Sequence, residues 1–389
     1  MPPARRTRIL IVDDSAVMRS LLRSVVSSDA GLEVAGTAAD GASALSSLAV
    51  LHPDLILLDV EMPVMDGLVT LKELRRRGNR MPVIMCSSLT QRGARVTIEA
   101  LAGGAADYVT KPSGQAGREA AQRTLAQDLI PKINALTAAS RGQSVAQPAG
   151  PQPGFPGANR TPFMSPLTQP FVQPIRQQPI SAAPVVLAIG VSTGGPAALD
   201  VVLPALPAGF PLPVLIVQHM PELFTRLFAE RLNGRCKLRV HEAIEGEPVL
   251  PGTIYIARGN WHLEALSAPS ASAPPTLHLT QGPLENHCRP AVDVLFRSVA
   301  RVYGSGVLAV VLTGMGSDGL GGCRIIREQG GSVLAQDQAS STVWGMPGAV
   351  ATAGLAHKVL PLDAITPEIL RIVGHTRQLP RDFGRQAVS

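Results

Sequence analysis

The segment Val185-Val-Leu-Ala-Ile-Gly-Val-Ser-Thr-Gly-Gly-Pro196 runs from apolar residues into a glycine-rich turn that contains Ser192. The apolar run predicts a buried strand, and the pattern that opens at Pro196 predicts a helix, because proline suits the first helical turn. The serine is therefore expected on a tight strand-to-helix turn, where glycines let a substrate approach closely. A serine in such a turn is commonly structural. The turn could also bind a phosphate or nucleotide, although it lacks the P-loop lysine and the Gly-x-Gly-x-x-Gly spacing.

Two further polar residues follow predicted strands in the same part of the chain. His219 comes directly after Val214–Gln218, and Asp318 follows a segment that begins with the apolar run Val307–Leu312. A serine hydroxyl is nearly inert until a base takes its proton, and imidazole can do so near neutral pH. A carboxylate on the other ring nitrogen fixes the tautomer and stabilises the imidazolium.

Each of these residues has an ordinary explanation when it is taken alone, as a satisfied polar residue or a helix cap. Their joint placement at strand ends instead predicts a serine hydrolase site with Ser192 as nucleophile, His219 as base and Asp318 as the orienting carboxylate. The chain order differs from that of three well-known triad folds, but geometry and not order defines such a site. The pattern suggests no base for Cys288, which is therefore expected to be a bystander.

Strand and helix patterns alternate from Pro184 onward and predict a parallel-rich, doubly wound α/β domain. Ser267 to Pro275 is expected to be a loop between two strands of a hairpin. The predicted strands include Val185–Ile189, Val214–Gln218, Thr253–Ile256 and Val307–Leu312, and the predicted helices include Glu222–Asn233, Pro290–Tyr303 and Leu320–Gln329.

The N-terminal part of the chain also alternates strands with helices. Five such units predict a parallel sheet covered on both faces, in a flavodoxin-like arrangement, so the chain is expected to hold two parallel-sheet α/β domains. The five predicted strands are Ile9–Val12, Leu32–Ala35, Asp54–Asp59, Pro82–Ser87 and Asp107–Lys111.

Acidic residues, a lysine and a serine end these strands or directly follow them, at the edge where such folds bind ligands. The set is Asp13, Asp14, Asp59, Ser87 and Lys111. Three converging carboxylates favour a hard divalent cation such as Mg²⁺, and a lysine beside a small hydroxyl can hold a phosphoryl group. One such aspartate alone would more commonly cap a helix or face solvent, but the whole set in register predicts a site.

Composition sets the domain boundaries and excludes several classes of protein. A segment rich in Pro, Gln, Gly and Ser lacks apolar periodicity and predicts an extended linker. The expected division is an N-terminal α/β domain at 1–138, a linker at 139–183, a catalytic α/β domain at 184–376 and a tail at 377–389. No run of eighteen apolar residues or signal-peptide pattern is present, and four cysteines without metal-type spacing suit a reducing cytoplasm. A net charge of +6 and 3% aromatic residues argue against nucleic-acid binding.

The N-terminal domain resembles the response-regulator receiver family. The resemblance rests on Val12-Asp-Asp-Ser15, Leu58-Asp-Val-Glu-Met-Pro63, Met65-Asp-Gly67 and Val109-Thr-Lys-Pro112, within a match from Arg8 to about Ala135. It implies that Asp59 accepts the phosphoryl group, that Asp13 and Asp14 complete a magnesium site with it, and that Ser87 and Lys111 contact the phosphate. Tyr108 is implied as a switch aromatic, although a half-buried strand aromatic would carry the same pattern.

The C-terminal domain resembles the catalytic domain of chemotaxis protein-glutamate methylesterases of the CheB type. The matching segments are Ile189–Gly195, Gln218–Pro221, Phe224–Leu232, Arg289–Phe296, Leu312–Gly319 and Gly345–Pro347. The resemblance implies hydrolysis of glutamate methyl esters on chemoreceptors, with release of methanol through an acyl-enzyme on Ser192, and deamidation of selected glutamines as an additional activity. Backbone N–H groups of Thr193 and Met315 are candidate oxyanion donors, and no cofactor is expected at this site.

The resemblance also implies how the domains interact and which proteins they meet. The unphosphorylated receiver would cover the esterase cleft, and phosphorylation of Asp59 by a chemotaxis-type histidine kinase would favour an open form. The long tether could weaken this inhibition, and Arg258 stands where the family pattern has proline. A cytoplasmic protein at receptor arrays, without membrane insertion, is expected. A phospho-dependent adaptor is the alternative, while no recognition helix supports a DNA-binding regulator.

Overall fold

A computed structural model of the protein describes residues 5–112, 117–138, 182–268, 270 and 272–375. Apart from its last two residues, the predicted linker at 139–183 lies outside the described residues, and so does the predicted tail at 377–389. In the described part of the chain, no helix has both the length and the apolar character needed to cross a bilayer.

Within the described residues, the N-terminal domain contains five strands that alternate with five helices. All its strand pairs are parallel, in the order β2-β1-β3-β4-β5, which confirms the predicted flavodoxin-like fold. Its elements are β1 (Thr7–Val12), α1 (Ala16–Ser27), β2 (Leu32–Ala38), α2 (Gly41–Leu51), β3 (Leu55–Asp59), α3 (Gly67–Arg76), β4 (Val83–Ser87), α4 (Gln91–Ala102), β5 (Asp107–Thr110) and α5 (Arg118–Thr137).

The central strands of this sheet are apolar on both faces because helices cover both. Side chains alternate across a strand, so Ile9 and Ile11 belong to a core with α1 and α5, whereas Leu10 and Val12 belong to a core on the opposite face. This packing leaves the carboxyl edge of the sheet free for the polar residues that follow the strands.

The C-terminal domain is a second doubly wound α/β unit with an added hairpin. Its elements are β6 (Val186–Val191), α6 (Gly195–Val202), β7 (Val214–Gln218), α7 (Glu222–Asn233), β8 (Arg239–Glu242), β9 (Thr253–Ile256), β10 (His262–Leu266), β11 (Thr276–Thr280), α8 (Val292–Tyr303), β12 (Val307–Val311), α9 (Leu320–Glu328), β13 (Ser332–Gln336), α10 (Met346–Thr352), β14 (Lys358–Leu360) and α11 (Leu362–His375). The antiparallel pair of β10 and β11 confirms the predicted hairpin.

The strand order of the large parallel sheet creates a switch point beside β6. The order is β14-β13-β12-β6-β7-β9-β8, so the chain leaves β6 toward β7 on one side and returns as β12 on the other. Crevices at such points, outside the carboxyl ends of the strands, are where doubly wound sheets bind ligands. Ser192 and His219 follow β6 and β7, and Asp318 lies in the loop after β12.

The two domains contact each other through helices and a strand end of the first domain. Helix α4 packs against α6 and α7, and a single apolar cluster includes buried residues of both domains. The C-terminal domain is therefore held against the β4–β5 side of the first sheet.

Candidate active site

The acidic pocket of the N-terminal domain forms as the strand ends predict. Oxygen atoms of Asp13, Asp14 and Asp59 all lie within 4.8 Å of one another. Lys111 Nζ lies 2.8 Å from Asp13 Oδ2 and 2.7 Å from Asp59 Oδ1. Ser87 is buried at the end of β4, and its hydroxyl donates to the carbonyl of Ser88 at 3.2 Å. All five predicted residues are thus at one edge of the sheet.

Burial and charge make this pocket suitable for a cation. Burial of Asp59 raises the pKa of its carboxyl to about 6, against the lowering effect of Lys111 and with a further rise from the charge of Asp13. A divalent cation would relieve the repulsion between these carboxylates, which offer the oxygen ligands that Mg²⁺ prefers. The residues present therefore fit a magnesium ion held by Asp13, Asp14 and Asp59.

Ser192 lies on the tight turn between β6 and α6. Its N–H donates to the carbonyl of Thr313 at 3.0 Å, and its carbonyl accepts from Gly195 N at 2.8 Å. Gly194 has a φ of +78°, which favours glycine, and a Cβ there would meet Thr342 Oγ1 at 2.3 Å. The turn is therefore fixed by backbone hydrogen bonds and close packing.

His219 is placed beside this turn by the register of β6 and β7, in which Val191 pairs with Gln218. The N–H of His219 donates to the carbonyl of Val191 at 3.2 Å. Its ring contacts Asp318, with Nε2 2.8 Å from Oδ2. Within the described residues the hydroxyl of Ser192 makes no hydrogen bond, so the predicted nucleophile and the predicted base lie on adjacent strand ends without a hydrogen bond between them.

Asp318 is buried and surrounded by donors. Besides His219, it accepts backbone N–H groups of Val292 at 2.7 Å, Asp293 at 3.0 Å and Gly319 at 2.9 Å, of which the first two begin α8. Burial alone would raise the pKa of Asp318, but the hydrogen bonds to His219 and to the backbone lower it below its usual value. The carboxylate therefore stays ionised beside the imidazole.

Asn286 is a contact of this carboxylate that the sequence analysis missed. Its side-chain Nδ2 donates to Asp318 Oδ1 at 2.8 Å and to Asp293 Oδ2 at 3.0 Å. Asn286 and His287 have φ values of +51° and +63°. An asparagine tolerates this left-handed conformation better than most residues, which is the local signal that could have marked the turn.

The expectation that Cys288 has no base nearby was wrong. Its Sγ lies 3.6 Å from Nδ1 of His219, the ring nitrogen that faces away from Asp318. Burial of the imidazole lowers its pKa, but the interactions with Asp318 and Cys288 raise it more, to about 9. The thiol therefore belongs to the immediate surroundings of His219.

The two candidate oxyanion donors lie in loops next to these side chains. In the described part of the chain, the N–H groups of Thr193 and Met315 donate no hydrogen bond, so both are free to meet a developing oxyanion. Met315 is 37% exposed, which leaves its loop accessible to a substrate.

Arg289 lies in one of the segments that resemble the CheB type. Its guanidinium donates to Asn260 Oδ1 and to the carbonyls of Gln281 and Gly282, which indicates a structural role.

The N-terminal domain covers the residue next to Ser192. The hydroxyl of Thr193 donates to Asp107 Oδ2 at 2.6 Å, and both side chains are buried. The ring of Tyr108 stacks on that of Phe224, with centroids 4.7 Å apart. At the edge of the contact, Arg95 Nη2 lies 3.8 Å from Glu230 Oε2. Tyr108 thus packs between the domains, which the pattern of a half-buried strand aromatic did not specify.

Arg258, where proline is expected, pairs with Glu222 and lies over the ring of Trp261, with 5.5 Å between its guanidinium carbon and the ring centroid. These contacts involve none of Ser192, His219 and Asp318.

Comparison with known proteins agrees with this architecture. Residues 187–369 match the model of the CheB methylesterase family, and residues 9–121 match that of the response regulator receiver domain. Among similar proteins, the protein-glutamate methylesterase/protein-glutamine glutaminase of Trichodesmium erythraeum is 46% identical over 94% of this chain and 99% of its own length. That of Nocardioides sp. is 49% identical over 95% of this chain and 96% of its own length.

Solved structures with similarity include the CheB methylesterase catalytic domain of Thermotoga maritima, which is 40% identical, covers 49% of this chain and all of that chain, and has a TM-score of 0.47. The two matching family models divide the chain where the two sheets do, and the relatives match it over nearly its full length. The chain therefore belongs to the protein-glutamate methylesterase/protein-glutamine glutaminase family, in which a receiver domain precedes a CheB methylesterase domain.

Proposed function

We propose that Ser192, His219 and Asp318 hydrolyse glutamate γ-methyl esters on chemoreceptor signalling helices and release methanol. The observation that carries the proposal is the 2.8 Å contact between His219 Nε2 and Asp318 Oδ2, next to the strand end that holds Ser192. The names of the relatives, protein-glutamate methylesterase/protein-glutamine glutaminase, support the same reaction and a second one, the deamidation of selected glutamines.

The reaction proceeds in two halves. His219 Nδ1 takes the proton of the Ser192 hydroxyl as the oxygen attacks the ester carbonyl, while Nε2–H donates to Asp318. The N–H groups of Thr193 and Met315 stabilise the oxyanion. Methanol leaves with the proton from His219, and water then hydrolyses the acyl-enzyme to give a glutamate carboxylate. For a glutamine side chain, ammonia leaves in place of methanol.

The receiver supplies the regulation. Asp59 accepts a phosphoryl group from a chemotaxis-type histidine kinase, and Ser87 and Lys111 contact the transferred phosphate. Asp13, Asp14 and Asp59 would hold a Mg²⁺ ion, which would neutralise charge on the phosphoryl oxygens.

The contact between the domains is the second part of the proposed regulation. Asp107 and Tyr108 lie against the turn and helix that flank the active site, so the unphosphorylated form has restricted access to Ser192. Phosphorylation shifts the population toward a form in which this contact is open. The domain boundaries at 138, 184 and 376, and a location at receptor arrays, are part of the same proposal.

The test uses methylated cytoplasmic fragments of a chemoreceptor, with each methylated glutamate and each glutamine followed by mass spectrometry. The wild-type chain should remove methyl groups, and Ser192→Ala should leave them in place because no nucleophile remains. Asp59→Asn, which keeps the esterase site, is the matched control and should retain basal removal. Equal methyl loss with wild type and Ser192→Ala would overturn the proposed site. No loss with several receptor fragments would favour an adaptor.

A further inference from the structure

The turn from Glu285 to Cys288 fixes the position of a thiol next to His219. The N–H of Glu285 donates to the carbonyl of Cys288 at 3.1 Å, and the N–H of Cys288 donates to the carbonyl of Glu285 at 2.8 Å. The two residues between them, Asn286 and His287, both have positive φ, as a type I′ turn requires. The backbone of this turn therefore determines where Cys288 lies.

The turn places Cys288 Sγ 3.6 Å from His219 Nδ1. Because Asp318 holds Nε2, Nδ1 is the ring nitrogen that can exchange a proton with a nucleophile. In this structure it faces the thiol, while the Ser192 hydroxyl makes no hydrogen bond among the described residues. A thiol gives up its proton far more readily than a serine hydroxyl. Cysteine and histidine therefore form a nucleophile–base pair.

The other cysteines lack these features. Cys86 and Cys323 are buried, and burial raises the pKa of both thiols. Cys236 is half-buried like Cys288, but burial raises the pKa of its thiol to about 11. Cys236 is thus a matched control, half-buried like Cys288 but, among the described residues, without a histidine in contact with its sulfur.

We propose that Cys288 is a peroxide-reactive modification site whose oxidation switches off the esterase, a consequence that rests on the proposed function. The thiol gives its proton to His219 Nδ1, and the thiolate sulfur attacks one oxygen of hydrogen peroxide. The O–O bond breaks, an S–OH group forms, and the departing hydroxide takes the proton from His219 to become water. Sulfur loses two electrons and the peroxide gains them.

The product places an oxygen atom between Cys288 and His219. The sulfenic acid then occupies the space in front of Nδ1, so the base cannot reach the Ser192 proton. Two molecules of a small thiol restore the cysteine, giving their disulfide and water. The modification is therefore a reversible block of the base and not damage to the fold.

The experiment exposes the full-length protein to hydrogen peroxide, labels sulfenic acids with a cyclic diketone and maps the labelled peptides by mass spectrometry. Methanol release is measured on the same samples before oxidation, after it and after dithiothreitol. Cys288 should be labelled at least tenfold faster than Cys236, and the esterase rate should fall with labelling and return on reduction. In Cys236→Ala the loss should persist, whereas in Cys288→Ala the ratio of treated to untreated rate should stay near one.

Replacing His219 tests whether the reactivity of Cys288 comes from the neighbouring base or only from the exposure of its thiol. In His219→Gln, labelling of Cys288 should slow at least tenfold while that of Cys236 stays the same, which also reports an intact fold. Equal labelling of the two cysteines, or peroxide inhibition that persists in Cys288→Ala, would overturn the proposal. A reduced protein that releases no methanol would instead overturn the proposed function, and the labelling rates would still decide the reactivity of the thiol.

Discussion

Asp59 of the receiver and Asp318 of the esterase domain are both 3% exposed and lie at the carboxyl edge of a parallel sheet, yet their surroundings act on them in opposite directions. Burial raises the pKa of Asp59 to about 6 even though Lys111 lies 2.7 Å away. For Asp318 the hydrogen bonds outweigh burial and lower its pKa. Equal burial therefore does not decide the state of a carboxylate.

The difference comes from the number of donors. Asp318 is held by His219, by Asn286 and by three backbone N–H groups, so its charge and position are fixed. Among the described residues, Asp59 has one side-chain donor, Lys111, and shares it with Asp13, so it remains able to take a cation or a phosphoryl group. The receiver sheet edge thus holds a carboxylate that can still bind a cation or a phosphoryl group, whereas the edge in the esterase domain holds a carboxylate that stays ionised.

The largest expected effect follows from removing the negative charge of Asp318. Asp318→Asn should lower kcat for methanol release by roughly 10³–10⁴-fold, because an amide neither stabilises the imidazolium nor fixes the tautomer of His219. The comparable change in the receiver, Asp59→Asn, should leave the unphosphorylated rate within about twofold and abolish only the response to a phosphodonor. If Asp318→Asn lowered kcat by less than about tenfold, Asp318 and Asp59 would not differ in the way that their surroundings indicate.

The pH dependence tests how strongly Asp318 and Cys288 together raise the pKa of His219. In the proposed mechanism His219 works as the neutral imidazole, and because its pKa is raised to about 9, kcat/KM should rise with pH. Between pH 7 and pH 9 the neutral fraction, and with it the rate, should increase about 50-fold. The same raised pKa stabilises the fold below about pH 6.5 relative to higher pH, and this contribution is lost as the pH passes through about 9. A kcat/KM that stays constant above pH 7 would contradict the raised pKa of His219.

A smaller effect is expected when one donor to Asp318 is removed. Asn286→Gly keeps the positive φ but deletes the hydrogen bond at 2.8 Å. A hydrogen bond to a charged group contributes about 1.5–3 kcal/mol, so kcat should fall roughly tenfold or more. Asn286→Asp should lower kcat further, since a third carboxylate would face Asp293 and Asp318. An unchanged kcat in both variants would show that the remaining donors suffice.

The smallest expected effect concerns the contact between the domains. Asp107→Ala removes the buried hydrogen bond to Thr193, so the unphosphorylated rate should rise about fivefold as the open form gains population. Arg95→Ala removes an exposed ion pair at the edge of the same contact and should change the rate less than about twofold. Identical rates in the two variants would show that the buried bond does not restrain the active site.

The sequence predicts the receiver pocket well because apolar runs mark where strands end, and every residue of that pocket ends a strand or comes within two residues after one. The same reasoning locates Ser192, His219 and Asp318 at one sheet edge. It misses Asn286 and assigns Cys288 wrongly, since their positions depend on a turn with two left-handed residues that no local periodicity marks. The contact of Asp107 with Thr193 depends on how two domains pack, which neither domain's pattern specifies.

The initial rate of methanol release from methylated receptor fragments, with and without acetyl phosphate and Mg²⁺, tests the link between the two sheet edges most directly. The account predicts a rate that rises with the phosphodonor in the wild-type chain, stays at the basal value in Asp59→Asn and is absent in Ser192→Ala. A wild-type rate that does not respond to the phosphodonor would contradict the regulation by the receiver. Release by Ser192→Ala would contradict the chemistry.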